Sequence, residues 1–218
     1  MHAGRIKDIF LKEIAVEFRQ KYALGGIVLF TSALVYLIYK VFNNLTGLEW
    51  SVMLWIITLF AGLQATVKSF MQEKKETYFY YYTIFDPNEL LLAKWLYNFV
   101  MIILLFGLTL LFMAVFMGMP VKDYTLFAQG SILGLAGLST VFTFVSLIAA
   151  SEHSSSTLMS VLAIPLVLPI MLLMLKITTV SARLIQDTSV DQDILLLAGI
   201  NSIFLGSIFL LFPVLWRA

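Results

Sequence analysis

Six predominantly apolar stretches, at 24–42, 50–70, 90–118, 124–150, 158–175 and 194–215, take up most of this chain. An α-helix rises 1.5 Å per residue, so about 20 apolar residues cross the roughly 30 Å of a bilayer's hydrocarbon core. Hydrophobic residues make up 61% of the sequence and charged residues 12%, against about a quarter charged in an ordinary soluble domain. So much apolar surface cannot be hidden in one soluble core. In hydrocarbon every backbone polar group must be bonded within the protein. The expectation is an all-α polytopic membrane protein, with residues 1–218 forming a single transmembrane domain of six spans.

Lys and Arg in the connections orient the bundle. Arg5, Lys7, Lys12, Arg19 and Lys21 precede the first span, Lys68, Lys74, Lys75 and Lys94 flank the second connection, and Arg217 ends the chain. These ten fall on one side; Lys40, Lys122, Lys176 and Arg183 fall on the other. The bias predicts cytoplasmic termini and a cytoplasmic second connection. Charges run on to Lys21 with no cleavage pattern after the first span, so a removable signal is not expected.

Residues 5–22 read as an interfacial helix. Phe10, Leu11, Ile14, Phe18 and Tyr22 recur at helical steps, while Ile6, Ile9 and Val16 fall outside that stripe. Two readings stay open: a basic anchor lying on anionic lipid, and a gate helix packed against the spans.

The polar, aromatic insert at 71–89 cannot sit in hydrocarbon. Glu73, Lys74, Lys75 and Glu76 are followed by Tyr78, Phe79, Tyr80, Tyr81 and Tyr82. A short helix over 73–84 would put Tyr78, Tyr81 and Tyr82 on one face, ringed by the four charges. It is a candidate coupling helix for a soluble partner; the plainer reading is an interfacial aromatic belt. The insert ends in Asp86-Pro87-Asn88-Glu89, which fits an N-cap, a proline at N1 and an acid at N3, so the third span is predicted to begin at Pro87.

Gly130, Gly134 and Gly137 give the fourth span a small-residue stripe suited to close helix packing, within the subunit or between subunits. Pro165 and Pro169 fall one turn apart in the fifth span, where each removes a backbone donor and shapes or hinges the helix. A polar stretch at 176–193 follows, with a short helix expected near 181–186.

The chemistry that is missing narrows the function. No charge falls mid-span, against ion-coupled carriers. The sequence holds no P-loop, no nucleophile–base pair and no metal-ligand spacing; its histidines are His2 and His153, and His153, in the 151–156 connection, reads as a solvated surface residue. With no cysteines, thiol chemistry is excluded. No catalytic, cofactor-binding or metal site is expected, and nothing is built to bind nucleic acid. A membrane bundle with a docking element and no engine suggests a transport subunit driven by a separate ATPase.

The six spans, the N-terminal helix, the insert running into Leu92-Ala93-Lys94, and the paired-proline segment from Leu162 to Pro169 resemble the cytochrome c maturation protein B (CcmB) family. Those proteins are permease subunits of a haem exporter-like ABC complex, akin more loosely to type-2 ABC exporter permeases. The resemblance covers nearly the whole chain. It implies a bacterial inner-membrane homodimer working with two copies of a cytoplasmic ABC ATPase and a haem-handling membrane protein. ATP would be used on the partner subunit, with haem as cargo of the complex and no cofactor on this chain. The family's insert carries a Gly-x-Leu-Glu stretch where this sequence has Lys74-Lys75-Glu76-Thr77-Tyr78. The alternatives are a type-2 exporter of lipid, polysaccharide or drug, and a non-transporting scaffold of an assembly complex.

Overall fold

A computed structural model of the chain describes residues 3–19, 21–42, 45–71, 86–151, 156–184 and 190–215. The described residues form seven α-helices and no strand: α1 (Ala3–Arg19), α2 (Lys21–Val41), α3 (Gly47–Met71), α4 (Pro87–Met117), α5 (Tyr124–Ser151), α6 (Ser156–Ser181) and α7 (Val190–Leu215). Five of them, α3 to α7, are long and apolar enough to cross a membrane; α2 contributes the shorter apolar stretch Gly25–Val41.

Local chemistry sets the helix ends. At the start of α3, Thr46 N–H donates to Glu49 Oε2 (2.8 Å) and Glu49 N–H to Thr46 Oγ1 (3.3 Å), a reciprocal capping box that moves the start ahead of the expected Trp50. Helix α4 begins at Pro87, as its sequence predicts, although Asp86 makes no side-chain cap bond. The Asp86 carbonyl accepts the amides of Glu89 and Leu90 instead. Gly118 closes α4 at φ 77°, where a side chain would be strained. Asp123 Oδ1 accepts the Leu126 amide at the start of α5.

Helix α6 outruns its predicted span, reaching Ser181 and so including Lys176. Arg183 then takes the left-handed conformation (φ 55°), with Leu184 N–H bonded to Thr179 C=O and Arg183 N–H to Val180 C=O. These are the two bonds of a Schellman stop, so a turn stands at 182–184 where the sequence suggests the start of a short helix; 185 and 186 lie outside the described residues.

Helix α5 is the hub, packing on α3, α4, α6 and α7. The main core gathers Trp50, Leu54, Trp55, Phe142, Ile170 and Met174 around it. Trp55 stacks on Phe106 with ring centroids 5.1 Å apart. At the end remote from α1, Ser181 C=O accepts the amides of Lys122 and Asp123, Leu184 covers Gly47, and Lys176 pairs with Asp193 at 2.7 Å. Lys40 there lies over the rings of Tyr36 and Tyr39 (5.8 and 5.9 Å), beside Phe116. A cation resting on exposed rings suits a membrane–water boundary.

Candidate coupling end of the bundle

Helix α1 lies against α4. Ile9 packs with Leu90, Leu91 and Ala93 of α4 and with Ile208 and Phe212 of α7, with Ile6 at the edge of the cluster. The predicted apolar stripe is only partly covered: Leu11 is 49% exposed and Phe10 and Ile14 are half-buried, whereas Ile9 is 2% exposed. Ile6, Ile9 and Glu13, at steps of three and four, form the face that meets the spans. The side chains of Phe18 and Tyr22 lie outside the described residues.

Glu13 continues that face with a charge. Its carboxylate sits 3.7 Å from the Lys94 ammonium of α4 and 3.4 Å from Lys12. Glu13 is 6% exposed, Lys94 3%, and Glu89, one turn earlier in α4, is fully buried. Glu89 stands in the first turn of α4, where its sequence predicts an acid, and is buried there. Glu13 thus has two ammonium neighbours, one on its own helix and one on α4. Sequence reasoning missed the junction. The available signal was Lys94 itself, a charge two turns inside an apolar span, which requires a partner.

Above this junction α4 and α5 are joined by polar bonds. Trp95 Nε1–H donates to Thr140 Oγ1 and Asn98 Nδ2–H to Thr143 Oγ1, both at 2.9 Å, and Ser139 Oγ–H donates to the Trp95 carbonyl. Each threonine hydroxyl passes its own proton back to a carbonyl four residues earlier, Ala136 or Ser139. Trp55 uses the same device between α3 and α6: its indole donates to Thr178, which donates to Met174 C=O. A hydroxyl can accept and donate at once, so one threonine satisfies a neighbouring helix without leaving an orphan group. A small cavity lined by Thr66, Tyr97, Asn98 and Met101, among others, holds room for about one water molecule and none for a macrocycle.

The glycine stripe of α5 lies against other helices of the same chain. A Cβ on Gly130 would overlap Ile177, one on Gly134 would overlap Met174, and one on Gly137 would meet Asn201. Asn201 of α7 donates to Leu133 C=O of α5 at 2.7 Å, another contact that sequence reasoning did not single out. Pro165 and Pro169 sit inside α6, which continues through both. Both prolines are exposed, whereas Ala163, Val167 and Ile170 face the core. Glu73, Lys74, Lys75, Glu76, Tyr78, Tyr81 and Tyr82 lie outside the described residues, as do His2 and His153. Among the described residues no cluster of His, Cys, Asp or Glu could hold a metal.

Residues 5–211 match the family of the CcmB protein. The chain belongs to the CcmB family. Comparison with curated proteins and with solved structures gives no match. CcmB proteins are permease components rather than enzymes, and membership together with five membrane-length helices makes this chain a membrane component of the haem exporter system.

Proposed function

We propose that this CcmB-family chain is the six-span permease subunit of an ABC complex for haem delivery in cytochrome c maturation. A separate cytoplasmic subunit binds and hydrolyses ATP. The chain sits in the bacterial inner membrane with both termini cytoplasmic, pairs with a second copy, and works beside a haem-handling membrane protein. The observation that carries this reading is the firm attachment of α1 to the first turns of α4, through the Ile9 cluster and the Glu13–Lys94 pair. The connection between α3 and α4 runs directly into that assembly. A push on it from a docked ATPase would reach several helices together rather than one loop. Glu73, Lys74, Lys75, Glu76, Tyr78, Tyr81 and Tyr82 form the docking patch in this account, with the tyrosines as anchors and the charges as an orienting rim.

The test is purification of the tagged chain from cells that make the whole complex. We expect an ABC ATPase to co-purify, and the complex to show the absorption of bound haem, held by the haem-handling partner. A Tyr78→Ala, Tyr82→Ala double variant should insert normally and lose the ATPase, since two such anchors contribute about 2–4 kcal/mol. A double variant that retains its ATPase at full stoichiometry refutes the docking patch. A complex with ATPase and no haem redirects the reading to another cargo.

A further inference from the structure

Lys40 stands in the last turn of α2, at the end of the bundle remote from α1, with its ammonium 5.8 Å and 5.9 Å from the ring centroids of Tyr36 and Tyr39. Phe116 of α4 packs against the same two rings, its centroid 6.1 Å and 5.5 Å away, so the seat is built from two helices. All four side chains are exposed. Among the described residues no carboxylate comes within ion-pair distance of Lys40. Three acids of this end are engaged elsewhere: Glu49 in the cap of α3, Asp123 at the start of α5, and Asp193 with Lys176. The ring quadrupoles attract the ammonium from one side and neutralise none of its charge. Its remaining N–H donors are left for an anion at the membrane boundary.

We propose that Lys40, seated on Tyr36 and Tyr39, binds the phosphate of an anionic phospholipid in the leaflet at that end. The surroundings favour a lipid over a free anion. Leu37 precedes Lys40 in α2, and Leu111 and Val115 precede Phe116 in α4; each is more than half exposed and lies on the membrane side of the seat, a surface for acyl chains. Charge selects the headgroup. Phosphatidylglycerol brings a phosphate and no cation, whereas phosphatidylethanolamine brings an ammonium of its own, which Lys40 repels. The site goes beyond the permease reading and does not depend on it.

The experiment places the full chain in nanodiscs of equal parts phosphatidylethanolamine and phosphatidylglycerol, and native mass spectrometry counts the lipids retained on release. The wild-type chain should retain phosphatidylglycerol in preference. Lys40→Gln should lower that retention about fivefold, the share of one basic side chain in attraction to an anionic lipid surface. Lys40→Arg keeps both the charge and the stacking on the rings, and should retain the lipid as wild type does. Tyr36→Leu with Tyr39→Leu keeps the charge but removes its seat, and should also lower retention. Lys122→Gln removes an exposed cation of the same end that rests on no ring among the described residues, and should change nothing. Equal retention by wild type and Lys40→Gln overturns the proposal. So does an equal loss in Lys122→Gln, which would show diffuse surface charge rather than a site. Full retention in the tyrosine double variant overturns the role of the seat. Unchanged lipid retention in Lys40→Gln, with loss of the haem-handling protein from the purified complex, overturns the proposal in favour of a subunit interface.

Discussion

At the level of single residues, the bundle is held by side chains that few composition arguments would select. Thr143 and Thr178 look like incidental polar residues in apolar spans, yet each accepts a bond from a neighbouring helix, from Asn98 and Trp55 respectively. Valine matches threonine in shape but cannot accept that bond. Thr143→Val and Thr178→Val should each lower stability by about 0.6–2 kcal/mol, readable as a drop in the unfolding midpoint in detergent; unchanged midpoints would show the bonds to be dispensable. Gly137 offers a sharper test because its missing Cβ leaves space for the Asn201 amide. Gly137→Ala should displace that amide from Leu133 C=O, so Gly137→Ala and Asn201→Ala should be strongly non-additive in a double-mutant cycle. Simple addition of the two effects would separate the sites. None of these pairings is local in sequence. Asn98 and Thr143 lie 45 positions apart and Trp55 and Thr178 lie 123 apart, so a periodicity argument could find the helices but not the partners.

At the level of helices, the legible features were those written locally. Asp86-Pro87 marks the start of α4 because proline suits the first helical position and pushes Asp86 before it into an extended conformation. The most buried apolar residue of α1, Ile9, lies outside the stripe that periodicity selects, because the partner surface of α4 and α7 decides which positions are covered. Glu13 belongs to the covered stripe for the same reason. The prolines of α6 are a further case. Their rings are on the exposed face and the helix runs on past them, so their effect acts through the backbone. Pro165 cannot bond Val161 C=O, and Pro169 cannot bond Pro165 C=O. Pro165→Leu with Pro169→Leu restores both donors and removes no core packing. We expect that variant to insert at normal levels but to lower cytochrome c yield, measured by haem staining. Normal yield would reduce the prolines to tolerated lipid-facing residues.

At the level of the molecule, two ends with different character emerge. One end carries α1 and its buried charges. The other carries Lys40 on its tyrosines, the Lys176–Asp193 pair and the turn at Arg183. The Lys and Arg bias predicts that the α1 end faces the cytoplasm. The chain has no cysteine, so single thiols report cleanly: Gly4→Cys should resist a membrane-impermeant reagent in intact cells, and Lys122→Cys should react. The reverse pattern would invert the topology. That orientation matters because an ATPase can reach only the cytoplasmic end, and the account stands or falls on whether it does so productively. The most direct measurement is the ATP hydrolysis rate of the partner ATPase in lipid nanodiscs, with and without this chain, in the presence of its haem-handling partner. The account predicts a rate that depends on this chain and loses that dependence in the Tyr78→Ala, Tyr82→Ala variant. A rate that is the same with and without the chain would contradict it, leaving a scaffold rather than a permease.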